Sequence, residues 1–332
     1  FLHSCLIVML RATTSTRPAT PAYLARSHVS SRRLHVRAQT NVFEEVGSAQ
    51  ITENQLQAQR YVAMNRFQTQ GGGAPARFEQ RWANRPSRLA KLKGFKYFSL
   101  LRRVPVEEGG ELNLEDGEPN YTSFTIWDDK SGFDEWRKGD AFKEAHGGGT
   151  IFGFVDMLVN SLQTLKGAPK PAFYDCLIPI SMPLTGDDVP LAPGGWREVE
   201  ADGKNTLDSD CFVAMNRFSV PVENCEAFEK RWASRDSKLE DCSGFRFFTL
   251  MRRDAPPGAA DDSFNYVSTT VWKDRASFMA WRESTAFQRA HGASKEDTGK
   301  DAAAAPPPPL FSKPPSVACY EGVLMLTTEQ GA

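Results

Sequence analysis

Two histidines are the residues of this chain best suited to metal chemistry. Three of the five histidines fall within the first forty residues, which leaves His146 and His291. Each is followed by a glycine and lies ten residues after a tryptophan, Trp136 or Trp281. Neutral imidazole is a good ligand for iron. A single such histidine is most simply interpreted as a capping residue at the C-terminal end of a helix. That role does not explain why a tryptophan precedes both histidines at the same spacing.

An asparagine accompanies each histidine and tryptophan. Asn65 and Asn216 both lie in the sequence VAMNRF, where a polar amide is unusual for a half-buried strand. Such an amide could donate a hydrogen bond to an oxygen ligand of iron. Alternatively, the asparagine amide could form a hydrogen bond to the backbone at the end of a strand. The tryptophan could simply be a core residue of its helix, which is the commoner role for this residue type. Because the same three residue types recur together in two places, we favour a shared site.

The few possible metal ligands in the sequence exclude most kinds of metal site. The six cysteines contain no C-x-x-C pair, and one histidine in each copy cannot form a zinc cluster. Haem fits this pattern better, since its macrocycle supplies four ligands and requires only one or two from the protein.

The elements that must position these residues form an internal repeat. VAMNRF occurs at 62–67 and again at 213–218, and the matches continue as far as the two histidines. In the first copy, hydrophobic periodicity predicts strands at 60–67, 95–103, 120–127 and 173–181. It also predicts a helix with Phe78, Trp82 and Leu89 on one face.

A second helix is predicted to begin near Asp129 or Ser131 and to run toward His146. Ten residues of straight helix would separate Trp136 from His146 by about 15 Å along the axis. Two residues that contact one macrocycle should lie closer than that, so we expect a break in this helix near Gly139.

The element order predicts the fold class. The order β-α-β-β-α-β is the ferredoxin-like unit of the α+β class, with two helices on one face of an antiparallel sheet. One unit leaves the other face of its sheet uncovered, and two units on one chain can cover each other. We predict two tandem ferredoxin-like units at 60–182 and 211–328, joined by a linker at 183–210, which form an intramolecular pseudo-dimer and act as a monomer.

Charge and N-terminal composition limit the location and the partners. The 40 Lys and Arg residues nearly balance the 41 Asp and Glu residues, so no cationic field is expected to attract nucleic acid. No apolar run reaches the roughly 20 residues of a membrane span. Residues 1–38 contain arginine, serine and threonine but no acidic residue, which is typical of an organellar transit peptide. We expect chloroplast import, with the mitochondrion as the alternative.

These residues and their spacing resemble a known family. The strand asparagine and the W-x9-H spacing resemble the IsdG-type haem-degrading monooxygenases of the antibiotic biosynthesis monooxygenase superfamily, which have the dimeric α/β barrel fold. The duplicated, plastid-targeted arrangement resembles that of low-iron-induced algal haem oxygenases. The resemblance implies that haem is both cofactor and substrate, and that dioxygen and an external electron donor take part. The roles it implies are proximal iron ligands for His146 and His291, distal residues near dioxygen for Asn65 and Asn216, and residues that buckle the porphyrin for Trp136 and Trp281.

Other functions remain open at this point. A cofactor-free quinol monooxygenase of the same superfamily needs no metal, a haem buffer binds haem without turnover, and a purely structural barrel binds no haem. The two copies also differ after the histidine, because residues 151–165 form an amphipathic pattern whereas 302–309 are rich in alanine and proline. We therefore favour the first site. The paired arginines at 102–103 and 252–253 could meet haem propionates, but we interpret them as solvated charge.

Overall fold

The computed structural model describes most of the chain between residues 52 and 328. The described residues are 52–85, 87–114, 117–145, 161–183, 199–235, 237–255, 262–285, 287 and 309–328. They all belong to one unit of the chain, Ser48–Ala332. The transit peptide predicted at 1–38 lies outside them, as do both candidate histidines, His146 and His291. None of the helices in the described ranges is long and apolar enough to cross a membrane.

Both copies have the predicted order of elements. The elements of the first copy are β1 (Arg60–Phe67), α1 (Ala74–Ala83), β2 (Phe95–Val104), β3 (Tyr121–Trp127), α2 (Lys130–Lys138), α3 (Asp140–Ala145) and β4 (Lys170–Ser181). Those of the second are β5 (Cys211–Phe218), α4 (Cys225–Ala233), β6 (Phe245–Arg253), β7 (Tyr266–Trp272), α5 (Arg275–Glu283) and β8 (Ser316–Thr327). The strand predictions for the first copy are confirmed to within three residues at each end.

The prediction for the first helix is wrong at its C-terminal end. Helix α1 ends at Ala83, and Leu89 lies in a separate 3₁₀ turn, Leu89–Lys91, although it is buried as expected. The sequence explains the early end, since Pro86 disfavours helical conformation at the residue before it.

The predicted break at Gly139 is confirmed. Helix α2 begins after Asp129, whose side chain accepts a hydrogen bond from the backbone N–H of Gly132, and it ends at Lys138. Gly139 is extended (φ −85°, ψ 173°), and α3 starts at Asp140. In the second copy Ser284 takes this place and is extended too, and its Oγ donates to the carbonyl of Trp281 at 2.6 Å.

The eight strands form one closed antiparallel barrel. Their order around it is β1-β3-β2-β8-β5-β7-β6-β4, so the two copies meet edge to edge at β2–β8 and at β4–β6. The predicted pseudo-dimer is therefore confirmed, but as a continuous barrel and not as two separately stacked sheets. Closure leaves no free sheet edge. Since every neighbouring pair is antiparallel, β1, β2, β5 and β6 all run in the same direction.

Alternation along each strand separates two kinds of interior. On β1, Val62 and Met64 pack inside the barrel, whereas Tyr61, Ala63 and Phe67 face the helices. Strand β5 repeats this arrangement in the second copy, with Val213 and Met215 inside the barrel. The barrel thus has a filled centre, and each copy has a second core between its helices and its part of the sheet.

The segment that precedes each copy packs on the other copy. We call residues 52–59 and 199–210 the cross-docked segments. In the first half, the fully buried Glu79 of α1 accepts hydrogen bonds from Tyr121 Oη (2.6 Å), Arg102 Nη1 (2.9 Å) and the backbone N–H of Leu207. Residues 199–210, the end of the predicted linker, therefore form part of the first copy's core.

The second half has the matching network. Glu229 of α4 accepts from Tyr266 Oη (2.6 Å), Arg252 Nη1 (2.9 Å) and the backbone N–H of Leu56 (2.6 Å). Arg252 also pairs with Asp175 of β4 at 2.8 Å, across the junction between the copies. The interpretation as solvated charge is wrong for Arg102 and Arg252, because each bonds a buried carboxylate and a carbonyl of a cross-docked segment.

Candidate functional site

The middle of the helix-facing sheet carries small and polar side chains in each copy. In the first copy Ala63 pairs with Thr125 and Asn65 with Ser123, and we call this surface with α1 and α2 over it site 1. The matched surface of the second copy, formed by Ala214, Thr270, Asn216 and Ser268 under α4 and α5, is site 2. Ala63, Ser123 and Thr125 keep 7–8% exposure despite their central position. The floor of site 1 is therefore buried but keeps slight contact with solvent.

The two strand asparagines offer unused amides at these floors. Asn65 and Asn216 are both half-buried. The backbone N–H of Asn65 lies 3.3 Å from Ser123 Oγ, but within the described part of the chain neither side-chain amide makes a hydrogen bond. A primary amide can donate two hydrogen bonds and accept others. Each site thus presents a polar group that can bind a ligand, and the strand-end role suggested for these amides is not seen.

The candidate tryptophans form part of aromatic walls. The ring of Trp136 lies 5.6 Å from that of Trp127 and 5.0 Å from that of Phe142, which follows the helix break. Trp281 repeats the arrangement, with Trp272 at 5.3 Å and Phe287 at 4.9 Å. Both candidate tryptophans are half-buried. Trp136 and Trp281 therefore pack against other aromatic rings, as expected for core residues. Each is also only half-buried and lies at the edge of its site.

The tryptophan behind each wall has an unsatisfied donor. Trp127 and Trp272 are fully buried, and the indole Nε1 of each has no hydrogen-bond partner among the described residues. Leaving a buried donor unpaired costs free energy of about 1–3 kcal/mol. The same atom is unpaired in both copies, so this is a shared property of the two sites.

The structure brings the asparagine and the tryptophan of each set to one site. Helix α2 packs on β1 and β3, so Trp136 belongs to the core that lies over the strand of Asn65. Helix α3 ends at Ala145, directly before His146 in the sequence. The positions of His146 and His291 lie outside the described residues, and their role as iron ligands stays a prediction.

The two sites differ in a hydrogen-bonded group at one end of β1. In site 1, Tyr61 donates to Asp254 at 2.9 Å, and Lys130 of α2 donates to the same carboxylate at 2.7 Å. Burial raises the pKa of Tyr61, and the charge of Asp254 raises it further. Asp254 follows β6, so the second copy contributes to site 1.

Site 2 has other residues at these positions. Phe212 and Val104 stand where Tyr61 and Asp254 stand in site 1, and Arg275 in the place of Lys130 donates to the carbonyls of Pro105 and Val106. The neighbouring strand differs as well, because Ala63 pairs with Phe173 whereas Ala214 pairs with Cys319. Burial raises the pKa of Cys319 to about 11. Site 1 is the more aromatic of the two and contains the additional polar group.

Two arginines that the sequence analysis overlooked lie beside these sites. The guanidinium of Arg85 lies 4.7 Å from the ring centroid of Trp82, and that of Arg235 lies 3.9 Å from that of Trp232. Burial and the neighbouring Arg81 lower the pKa of Arg85 to about 10. Among the described residues neither Arg85 nor Arg235 has a carboxylate partner. The repeated sequence RWANR and RWASR was the signal available for them.

Solved structures of other proteins are similar to this chain at low sequence identity. An inferred monooxygenase from Lactobacillus acidophilus matches with 7% identity and a TM-score of 0.48, covering 81% of this chain and 96% of that protein. An inferred monooxygenase from Fusobacterium nucleatum matches with 12% identity and a TM-score of 0.47, covering 81% and 95%. A haem-degrading enzyme from Listeria monocytogenes matches with 9% identity and a TM-score of 0.32, covering 79% and 99%. Likeness at this level does not identify a substrate.

The family assignment comes from the sequence of both copies. The model of the antibiotic biosynthesis monooxygenase family matches residues 60–148 and 211–293, which together make up just over half of the chain. Each match begins at the first strand of a copy, and each contains the asparagine, the tryptophan and the histidine of that copy. The chain belongs to the antibiotic biosynthesis monooxygenase family and carries two copies of its domain.

Proposed function

We propose that this protein is a haem-degrading monooxygenase that binds haem at sites 1 and 2. One observation carries the proposal: in both copies a half-buried asparagine amide, without a hydrogen-bond partner among the described residues, lies on a sheet floor bordered by aromatic side chains. A flat apolar macrocycle with a polar ligand at its centre matches such a surface in shape and polarity. The matched histidines of the sequence, His146 and His291, would supply the iron ligands.

The residues of each site have separate tasks in this proposal. Trp136 and Trp281 would press against a bound macrocycle with their half-buried rings. Asn65 and Asn216 would donate hydrogen bonds from the sheet side to the oxygen ligand. The guanidinium groups of Arg85 and Arg235 are suited to the carboxylates of the substrate, which the haem propionates would provide.

Bound haem would supply the redox-active iron that activates dioxygen, and an external donor would supply the electrons. The protein's own contribution is binding, distortion and exclusion of water by the aromatic walls. Trp127 and Trp272 support those walls from behind, since each contacts the candidate tryptophan in front of it.

We further propose that site 1 is the more active site. Its floor is bordered by the aromatic ring of Phe173, where site 2 has the smaller Cys319. The buried hydroxyl of Tyr61, held by Asp254, also fixes the packing of Phe133 against the first strand. A better-packed wall should bind a macrocycle more tightly.

Haem titration followed by turnover tests the proposal. The full chain is titrated with haem, and the absorbance of the Soret band is compared for the native protein, the single His146→Ala and His291→Ala variants, and the double variant. We expect one equivalent to be lost in each single variant and all specific binding in the double variant. Addition of a reductant and air should then bleach the bound haem and release iron.

The same experiment separates the alternatives. A haem buffer would keep its spectrum unchanged under reductant and air, and a cofactor-free quinol monooxygenase would oxidise a quinol without any Soret band. Asn65→Ala and Trp136→Ala should retain binding and slow bleaching at site 1, most clearly in the His291→Ala background. If both changes left bleaching at its native rate, the roles proposed for these two side chains would be wrong.

Import into the chloroplast and a monomeric state complete the proposal. The first rests on the composition of residues 1–38, and the second on the closed barrel, in which the two copies already occupy each other's sheet edges. Fluorescent tagging of the chain and sedimentation equilibrium of the purified protein test them.

A further inference from the structure

A cluster of arginines lies inside one end of the barrel, on the sheet face opposite to sites 1 and 2. Arg66, Arg103, Arg217 and Arg253 each occupy the last or second-to-last position of β1, β2, β5 or β6. These four strands run in the same direction, so the four arginines end at the same rim of the barrel. By alternation from the interior residues Met64, Leu101, Met215 and Met251, their side chains face inward.

Two of these arginines share one carboxylate. Glu118, from the loop between β2 and β3, lies 3.1 Å from Arg217 Nη2 and 3.6 Å from Arg103 Nη1. The three side chains are largely buried, with 21%, 9% and 20% exposure for Arg217, Arg103 and Glu118. Arg103 also donates to Tyr320 Oη at 3.3 Å, and Arg217 to Ser316 Oγ at 2.7 Å. We call this group the Glu118 cluster.

The pseudo-symmetric group is centred on Asp262. This carboxylate contacts Arg66 at 2.5 Å and Arg253 at 3.9 Å, and Arg253 donates to Tyr174 Oη at 2.9 Å. In both groups two guanidinium groups, one from each copy, meet one carboxylate. In the Glu118 cluster, two positive groups therefore share one negative group in a place with little access to water.

The Glu118 cluster has further signs of a missing anion. The Nε atoms of Arg103 and Arg217 are buried and have no hydrogen-bond partner among the described residues. An exposed cation lies at the edge of the cluster: Lys313 donates to Ser263 Oγ and lies 4.1 Å from the ring centroid of Phe264, which Arg217 approaches at 4.8 Å. Two guanidinium groups thus share a single carboxylate. Burying unbalanced charge of this kind is costly unless a counter-ion joins it.

We propose that the Glu118 cluster is a binding site for a phosphate-type oxyanion. A tetrahedral oxyanion has enough acceptor oxygens for the two forked guanidinium groups of Arg103 and Arg217. Tyr320 and Ser316 provide hydroxyl groups beside the arginines. Glu118 opposes the anion by its charge, so the site binds phosphate groups reversibly. The ligand is either free phosphate or the phosphate group of a larger molecule.

Calorimetric titration of the full chain tests this site. Inorganic phosphate and a nucleoside monophosphate are titrated separately at constant ionic strength, with chloride as the balancing anion. We expect both to bind, because the site recognises the phosphate group they share. Equal affinity would identify free phosphate as sufficient, and tighter binding of the nucleotide would show that the attached group contributes.

Charge-changing variants supply the decisive comparison. Arg217→Gln should weaken phosphate binding by at least about tenfold, as expected for the loss of a charge-assisted hydrogen bond. Glu118→Gln should do the opposite and tighten binding, since it removes the opposing charge and keeps the shape of the side chain. The exposed Lys230→Gln on α4 is the matched surface control and should leave the affinity unchanged.

The Glu118→Gln variant also covers the case in which Arg217→Gln does not fold. Tighter binding in that variant alone supports the site. The proposal is overturned if the native protein binds no phosphate. It is overturned equally if Arg217→Gln and Glu118→Gln bind phosphate with the same affinity as Lys230→Gln, because the anion would then bind elsewhere.

Discussion

The substitution Glu79→Gln tests how the two halves of the chain are held together. Glu79 has no solvent exposure, and its carboxylate accepts hydrogen bonds from Tyr121, Arg102 and the backbone of Leu207. Glutamine has nearly the same shape, but it replaces one acceptor oxygen with an N–H donor and removes the charge. Whichever way the amide is turned, at least one donor of this network then faces another donor.

The expected loss of stability follows from these contacts. Removing one partner of a buried ion pair typically costs about 3–5 kcal/mol, and glutamine retains one acceptor, so we expect a loss of about 3 kcal/mol in the free energy of unfolding. With a urea m-value of about 3 kcal/mol/M, the unfolding midpoint should fall by about 1 M. Stability of a whole protein is commonly about 5–15 kcal/mol, so the change is large enough to measure.

Urea denaturation followed by circular dichroism measures this loss, and limited trypsin digestion localises it. Since Leu207 is released from Glu79, trypsin should cut faster after the exposed Lys204 of the cross-docked segment. Glu229→Gln should destabilise the protein by a similar amount without faster cleavage there. The exposed Glu135→Gln on α2 is the matched control and should change stability by less than about 0.5 kcal/mol.

A shift of the unfolding midpoint below about 0.3 M for Glu79→Gln would refute the reasoning. Such a shift corresponds to about 1 kcal/mol, which is no more than an ion pair on the protein surface contributes. Unchanged cleavage after Lys204 would refute the part of the argument that concerns the cross-docked segment.

Three further predictions concern single side chains. Tyr61→Phe should cost about 1–2 kcal/mol, measured by urea denaturation, because Asp254 loses one hydrogen bond while the ring packing is kept. Asp129→Ala should remove an N-cap worth about 1 kcal/mol. Hydrogen bonds from Ser131 and Gly132 hold the pKa of Asp129 below its usual value. This contribution should therefore be present above about pH 4 and disappear as the pH falls through the folded-state pKa, so the melting temperatures of the native and Asp129→Ala proteins should approach each other as the pH is lowered. At about pH 8, iodoacetamide should modify the half-buried Cys242 before the buried Cys319, and peptide mass spectrometry measures the order. Burial raises the pKa of both thiols, that of Cys319 to about 11, but only Cys242 is accessible to the reagent.

The local features of this fold could be predicted from the sequence because they depend on neighbouring residues. The strands at 60–67 and 95–103 follow from their own hydrophobic pattern, and the helix break follows from Gly139 together with the spacing of Trp136 and His146. The position of α2 over β1 also follows from the order of elements, and it places Trp136 in the core above the strand that carries Asn65.

The contacts between distant segments could not be predicted in this way. Tyr61 and Asp254 are 193 residues apart, and Glu79 and Leu207 are 128 apart. Each contact depends on how the two copies close the barrel, which no local pattern specifies. The arginines at 102 and 252 were misinterpreted partly for this reason. Each pairs with a carboxylate of the opposite copy, Glu321 or Asp175, in addition to the buried glutamate of its own copy.

The cross-docked segments affect how this protein can be divided. A fragment that starts at Cys211 would lack Leu56, and the carboxylate of Glu229 would lose its backbone donor. A fragment restricted to residues 52–182 would lose Leu207, but in a homodimer of such fragments each Leu56 could take that role on the neighbouring chain. Excision of one repeat therefore converts a contact within the chain into a contact between two subunits. The smallest unit in which every buried glutamate keeps its backbone donor contains two repeats, either on one chain or in a dimer.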